Sequence, residues 1–297
     1  MNATFVTPRA KIRSLSWWTR VSRYLPGLGA HLVLMLGSLV VLAPVAWMVS
    51  MSLKDVNHLF DFPPQWIPNP IRWDNYVRAL TAMPFWRYAL NTIFVTAMSM
   101  IGSVGSSLVI AYGFARLRFP GRDQLFLLVL ATMMLPFQVT MVPTFILFRY
   151  LRWVDTFLPL FVPLFFGRAF FIFLLRQFFL SVPKELDEAA RIDGCSSWGI
   201  LTRILVPQVK PALAALAIFS FIWAWDDFMH PLIYINSSAK WTLTLALNGF
   251  QSPLEPGAPV IHLMMAASVV VALPPVLVFF FAQRYFIQGV VVSGIKG

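Results

Sequence analysis

The chain has 297 residues, of which 59% are hydrophobic and only 12% are charged. A soluble globular protein carries about 25% charged residues, so this composition excludes a water-soluble protein for most of the chain. The net charge of +11 would suggest nucleic acid in a soluble protein, but here the basic residues occupy short segments between apolar runs, so no nucleic-acid partner is expected.

Six apolar runs follow one another along the chain, and each is long enough to cross a bilayer as a helix of about 20 residues. They cover approximately residues 31–51, 91–114, 125–148, 157–180, 211–235 and 262–283. They lack the alternating polar and apolar pattern of a membrane β-barrel. The sequence therefore predicts an all-α polytopic membrane protein with six transmembrane helices, in which residues 31–283 form the transmembrane domain.

The distribution of lysine and arginine predicts the orientation of these helices. If the N-terminal segment 1–30 is cytoplasmic, the inner segments hold fifteen of the 23 basic residues and the outer loops hold seven. Because cytoplasmic loops are enriched in Lys and Arg, both termini are expected to be cytoplasmic, including the tail 284–297. The outer loop 52–90 has four prolines between residues 63 and 70, where neither helix nor central strand is expected.

Charged and aromatic residues interrupt the fourth and fifth runs. Arg168 lies near the middle of the fourth run, and Asp226 and Asp227 lie in the outer half of the fifth. Since a charge inside a bilayer is costly unless it is paired or hydrated, Arg168 is expected either to pair with one of these carboxylates or to line a solute path, where it would favour an anionic solute. The flanking Trp223 and Trp225 either stack on a sugar ring or belong to an interfacial aromatic belt.

The inner loop 181–210 is predicted to hold a short helix. A proline suits its first turn, three carboxylates favour the positive end of the helix dipole, and Gly194 is placed to end it. Asp187 and Arg191 have the i,i+4 spacing of a helical ion pair. A second short helix is expected to end before Pro207.

This loop resembles the EAA loop of the permease subunits of ABC importers. The pattern is Glu-Ala-Ala, three residues, Gly, nine residues and Ile-x-Leu-Pro. The same spacing is met here by Glu188, Ala189, Ala190, Gly194 and Pro207. Val206 stands where Leu is usual, which keeps an apolar side chain. The resemblance implies the ABC importer type I permease fold, with a coupling helix that docks in a cleft of an ATPase subunit.

Further segments resemble the maltose-type carbohydrate permeases, and the similarity runs from about residue 30 to the end. They are Met-Leu-Pro-Phe-Gln-Val at 134–139, Phe-Leu-Leu-Arg-Gln-Phe-Phe at 173–179, Trp-Asp-Asp-Phe at 225–228 and Ser-Gly-Ile-Lys-Gly at 293–297. The last resembles the tail of the second, MalG-like permease subunit. The third departs from the family's Trp-Asn-Glu-Phe at both polar positions.

The resemblance implies a subunit of a sugar or oligosaccharide importer in the bacterial cytoplasmic (inner) membrane. The implied partners are a second permease in a heterodimer, two ATP-binding subunits and an extracytoplasmic solute-binding protein. Contact with the ATPase is expected at the tail residues Gly294, Lys296 and Gly297. The candidates for the translocation path are Gln138, Arg168, Trp225, Asp226 and Asp227.

The chain has no GxxxxGK[ST] phosphate loop, so it is not expected to be an enzyme or to bind a cofactor. ATP and Mg would be bound by the partner ATPase. The four histidines lack metal-ligand spacing, and no metal site is predicted.

Three alternative functions remain open. One is an ABC permease for a phosphorylated polyol such as glycerol phosphate. Another is an ion-coupled secondary transporter, which usually shows paired repeats and broken helices, and the sequence indicates neither. The third is an intramembrane enzyme, which would need paired polar groups on facing helices, whereas the sequence offers only the pair Asp226 and Asp227.

Overall fold

The computed structural model describes residues 17–250 and 260–294, and it describes side chains over 29–250 and 260–283. This part of the chain is helical and contains no β-strand. Its α-helices are α1 (Trp17–Ser52), α2 (Asp74–Thr81), α3 (Phe85–Arg116), α4 (Arg122–Thr132), α5 (Phe137–Tyr150), α6 (Leu158–Phe161), α7 (Ala169–Ser181), α8 (Glu185–Ile192), α9 (Ser197–Gly199), α10 (Val206–Gln208), α11 (Lys210–Trp225), α12 (Met229–Tyr234), α13 (Leu243–Gly249) and α14 (Ile261–Gly294). Short 3₁₀ helices occur at Val56–His58, Val162–Phe166 and Ser238–Lys240, and Ile200–Leu205 is π-helical.

Four helical segments in the described residues are long and apolar enough to cross a membrane. They are Gly29–Ser52, Phe85–Arg116, Leu158–Ser181 and Ile261–Gln283. Two more crossings are obtained by joining helices across a sharp bend: α4 with α5, bent by 100°, and Ser197–Gln208 with α11, bent by 84°. The count reaches six when each bent pair is one span, and this number equals that of the apolar runs. In the second pair, however, only α11 coincides with the fifth apolar run, because Ser197–Gln208 belongs to loop 181–210.

The third apolar run is not one straight helix. Helix α4 ends at Thr132, and α5 begins only at Phe137. Pro136 lies directly before α5 in an extended conformation, with φ −62° and ψ 140°. Because proline lacks an N–H and disfavours helical geometry in the residue before it, the chain turns here instead of continuing α4.

The fourth and fifth runs are also interrupted. Gly167 separates Val162–Phe166 from α7 with a φ of +96°, and a Cβ at this position would lie 2.7 Å from the side chain of Ile110. Only glycine meets both conditions without strain. Helix α11 ends at Trp225, and α12 follows after three residues. The predicted mid-span charges therefore lie at helix ends.

Helix α3 is the central element of the fold. It packs against α7, α11 and the 3₁₀ helix before Gly167. Small side chains on α3 let its neighbours approach closely, and Ser103 Oγ lies 2.8 Å from Ser220 Oγ of α11. The core at one end of α3 combines Phe171, Leu175 and Phe179 of α7 with large side chains of the π-helical segment. The loop with the EAA pattern is therefore anchored in the main core.

Helix α1 lies at the periphery with its apolar side chains exposed. None of the residues in its most apolar stretch is buried within the chain. An exposed apolar surface of this length fits lipid or a neighbouring subunit and does not fit water. Segment 59–73 has no helix or strand, as its prolines predict.

Candidate functional site

The predicted short helix of the inner loop is present as α8, and it ends at a glycine cap. Gly194 has a φ of +80°. The N–H of Gly194 donates to the carbonyl of Arg191 at 3.0 Å, and the N–H of Cys195 donates to the carbonyl of Ala190 at 2.8 Å. These two bonds form a Schellman motif, which fixes the direction in which the chain leaves the helix.

The exposed surface of α8 combines charged and apolar side chains. Glu188 and Ala189 are exposed, and Ile192 is 87% exposed on the same helix. Ala190 instead faces the core, so it is not part of this exposed surface. Ala189 is the small side chain that the surface presents, and a small side chain permits close approach by another protein.

The second helical segment of the loop continues past its predicted end. The hydroxyl of Ser196 accepts the N–H of Gly199 at 3.2 Å and caps this segment, which runs through Pro207 to Gln208. The N–H of Val206 donates to the carbonyl of Leu201, five residues earlier. This wider π turn accommodates the proline, whose ring would clash with the preceding turn of a regular α-helix.

Asp187 does not form the predicted ion pair with Arg191. Its Oδ2 lies 3.0 Å from Nε of Arg116 at the end of α3. The two side chains are only 8% and 2% exposed, respectively. Helical spacing could not predict this contact, because Arg116 and Asp187 are far apart in sequence and meet only when α3, α7 and α8 pack together.

A cavity of about 210 Å³ opens between α3, α5, α6, α11 and α12. Its polar lining residues include Ser99, Thr140, Arg168, Ser220, Asp227 and His230. The guanidinium carbon of Arg168 lies 4.5 Å from the ring centre of Trp223, an arrangement that stabilises a cation against an aromatic face. The ring of Phe137 lies against His230, with centroids 4.7 Å apart.

The structure brings two of the predicted path residues together and leaves the others outside the cavity. Arg168 and Asp227 both line it. Gln138 and Asp226 are exposed elsewhere. Trp225 is buried, and its Nε1 donates to the carbonyl of Val271 at 3.0 Å. Trp225 therefore joins α11 to α14 and does not line this cavity.

Arg168 forms no salt bridge with Asp226 or Asp227, although Asp227 lies near enough to act on its charge. Asp227 pairs instead with His230, whose Nδ1 lies 2.9 Å from the carboxylate. The backbone N–H of His230 also donates to Asp227 at 3.2 Å. Of the two sequence interpretations of Arg168, the position in the structure favours the lining of a cavity. Trp223 and His230 also line the cavity. Of these two, the sequence pointed to Trp223, because it flanks the two aspartates.

The loops 149–156 and 236–240, which are predicted to be extracytoplasmic, are joined by a network around Asp155. Its carboxylate accepts the backbone N–H groups of Ser237 and Asn236 at 2.8 and 3.0 Å, and Lys240 Nζ lies 3.1 Å away. The hydrogen bonds from the hydroxyl and backbone of Ser237 hold the pKa of Asp155 well below its usual value of 3.8. This carboxylate is ionised at neutral pH and ties two distant loops together.

The tail contacts lie largely outside the described residues. Gly294 ends α14, while Lys296 and Gly297 follow the described part. Within the described residues, no group of three or more His, Cys, Asp or Glu side chains is placed to hold a metal ion.

Known proteins resemble this chain over most of its length. The family described as "Binding-protein-dependent transport system inner membrane component" matches residues 104–292. The arabinooligosaccharides transport system permease protein AraQ of Halalkalibacterium halodurans is 36% identical over 231 residues, which are 77% of this chain and 81% of the relative. The sn-glycerol-3-phosphate transport system permease protein UgpE of Yersinia pestis bv. Antiqua is 34% identical over 272 residues, which are 89% of this chain and 95% of the relative.

The fold also matches a solved transporter. The crystal structure of a bacterial ABC transporter involved in the import of the acidic polysaccharide alginate contains a chain that is 26% identical to this one. The match has a TM-score of 0.76 and covers 89% of this chain and 98% of that chain.

Proposed function

The chain belongs to the family of inner membrane components of binding-protein-dependent transport systems, and on that premise we propose that it carries a sugar or oligosaccharide across the bacterial inner membrane. The identity to the AraQ permease supports this solute class. The family membership, the match to an ABC transporter chain and the apolar helices identify the protein as a multi-pass permease subunit, which is not itself an enzyme.

We propose that the chain works in a heterodimer with a second permease, bound to two ATP-binding subunits that hold ATP and Mg. The solute would arrive from an extracytoplasmic binding protein, in keeping with the family description. ATP binding would close the ATPase pair and move α8, and the spans would then change the side of the membrane to which the solute path opens. Both termini would lie in the cytoplasm.

The observation that carries this proposal is the exposed face of α8 within the EAA pattern. Ala189 is exposed, and nothing in the described chain covers it. A cleft that accepts a small side chain cannot accept an indole without strain of about 1–3 kcal/mol. Ala189→Trp should therefore leave the chain in the membrane but reduce the amount of ATPase subunit that co-purifies with it, and uptake should be lost.

The matched control is Gln124→Trp, which adds a similar bulk at an exposed position of another helix, α4. It should retain the ATPase subunit and transport. Normal ATPase binding and transport by Ala189→Trp would mean that α8 is not the docking helix.

A second solute class is favoured by one specific observation. Arg168 lines the cavity together with Asp227, which acts on its charge but does not form a salt bridge with it, and a guanidinium there can bind a carboxylate or phosphate of the solute. An acidic sugar or a phosphorylated polyol fits this arrangement, and UgpE and the alginate transporter handle such compounds.

Replacement of Arg168 distinguishes these solute classes. If the solute is anionic, Arg168→Gln should lower its uptake by tenfold or more at a fixed concentration, because a charge-assisted bond of about 1.5–3 kcal/mol is lost. Arg168→Lys should keep part of the uptake. For a neutral sugar, Arg168→Gln should change uptake by less than about threefold, since no solute charge is left unpaired.

A further inference from the structure

A buried ion pair joins the coupling helix to the central helix of the fold. Arg116 is the last residue of α3, and Asp187 lies in the first turn of α8. Their charged groups approach to 3.0 Å, and both side chains are almost fully buried. Buried charges are tolerated only when they are paired, so this contact fixes where α8 sits against α3.

Arg116 also holds the segment that leads into α8. Its Nη2 donates to the carbonyl of Val182 at 2.8 Å, and Val182 is the residue that ends α7. One guanidinium therefore binds both the start of the inner loop and its helix. The apolar contacts of Ala190 with the core are not directional, whereas this ionic contact specifies one point of attachment.

The pair is an ionic contact without a directional hydrogen bond. Nε and Nη1 of Arg116 and Oδ1 of Asp187 have no hydrogen-bond partner among the described residues, although Nε lies 3.0 Å from Oδ2 of Asp187. A two-point fork between guanidinium and carboxylate would hold the helix in one orientation. Because this contact lacks the fork geometry, we expect α8 to be able to turn about it while the charges stay paired.

Helix α3 is suited to carry a displacement from this contact to the far side of the protein. It has 32 residues and a length of about 48 Å. Val95 and Ser99 of α3 line the cavity. At its other end, Asn91 donates to the carbonyl of Trp241 at 2.9 Å, and the hydroxyl of Thr92 accepts the N–H of Leu243 at 2.8 Å.

We propose that the Arg116–Asp187 pair is the pivot through which α8 passes its movement to α3, so that both residues act as positioning residues for transport. The inference rests on the proposed role of α8 as the coupling helix. The pair does not dock the ATPase, because it is buried behind the exposed face. Its loss should separate ATP hydrolysis from transport without releasing the ATPase subunit.

The test uses Asp187→Asn in the complete transporter, reconstituted in liposomes with its partner subunits and binding protein. The ratio of solute transported to ATP hydrolysed should fall at least tenfold, while the amount of ATPase subunit bound stays at the wild-type level. The matched control is Asp123→Asn, which alters an exposed ion pair with Arg122 and should leave the ratio unchanged.

A ratio within twofold of the wild type would overturn the proposal. Loss of the ATPase subunit in proportion to uptake would also overturn it, because the pair would then only maintain the docking surface. If Asp187→Asn is absent from the membrane, the double variant Arg116→Asp/Asp187→Arg replaces it. The proposal requires the double variant to transport better than Arg116→Asp alone, and equal or poorer transport contradicts it.

The two proposals fail in different ways. A wild-type complex that shows no ATP-dependent uptake would count against the proposed function. A wild-type complex that transports, together with a fully coupled Asp187→Asn variant, would count against the pivot alone.

Discussion

At the scale of single residues, side-chain direction decides which aromatic residue reaches the cavity. Trp223 and Trp225 are two positions apart on α11, so they project from nearly opposite faces of the helix. The motif drew attention to Trp225, but the structure places Trp223 against Arg168 and buries Trp225 against α14. The motif therefore predicted the region of the cavity, and the helical geometry of α11 determines which of the two tryptophans reaches it.

Gly194 provides a residue-scale prediction. A Cβ at this position meets no atom within 4 Å, so only the backbone conformation restricts the side chain. With φ at +80°, Gly194→Val should destabilise the cap by about 1–2 kcal/mol. Limited proteolysis of the purified complex should then cleave loop 181–210 faster, and uptake should fall.

The control for this prediction is Gly194→Asn, because asparagine tolerates a left-handed conformation better than other residues with a Cβ. It should retain most of the proteolytic resistance and transport. Equal behaviour of the valine and asparagine variants would show that the φ of residue 194 does not control the loop.

At the scale of the helices, interruptions in three spans determine where the charged residues of the cavity lie. Pro136 and Gly167 interrupt two spans, and a three-residue gap after α11 interrupts a third. Each break leaves backbone groups without helical partners, which membrane proteins tolerate where other protein groups or a cavity satisfy them. The cavity lies between these broken elements, and its charged residues come from the breaks.

The loop network around Asp155 gives an element-scale prediction with a defined pH dependence. A carboxylate whose pKa is lower in the folded state stabilises that state above its unfolded pKa, and the contribution is lost as pH falls through the folded value. Since the pKa of Asp155 lies well below 3.8, the contact between loops 149–156 and 236–240 should be equally strong at pH 7 and pH 5.

Hydrogen exchange measures this contact at the amides of Asn236 and Ser237. Protection factors should be the same at both pH values in the wild type and should drop about 10-fold or more in Asp155→Ala, since hydrogen bonds to a charged group are removed. Asp74→Ala, at an exposed outer position, is the control and should leave these amides unchanged. A loss of wild-type protection between pH 7 and pH 5 would contradict the low pKa of Asp155.

At the scale of the whole molecule, the sequence predicted the number of spans and the position of α8, but it did not predict the contacts between distant residues. Six apolar runs predicted the spans because lipid requires long helices of apolar residues. The EAA pattern located α8 and its glycine cap. The partner of Asp187 and the cavity beside Arg168 depend on residues distant in sequence, so neither helical spacing nor composition could indicate them. The cytoplasmic position of both termini stays a prediction from the basic residues.

If this chain is the permease of an ATP-driven importer, solute transport by the complete complex depends on ATP. To measure this, the complex is reconstituted in liposomes with ATP supplied on the side of loop 181–210, and the solute-loaded binding protein is supplied on the other side. Solute accumulation should require ATP, be blocked by vanadate and persist when ion gradients are dissipated. Accumulation that continues without ATP and stops when ion gradients are removed would show that the chain is not an ATP-driven importer subunit.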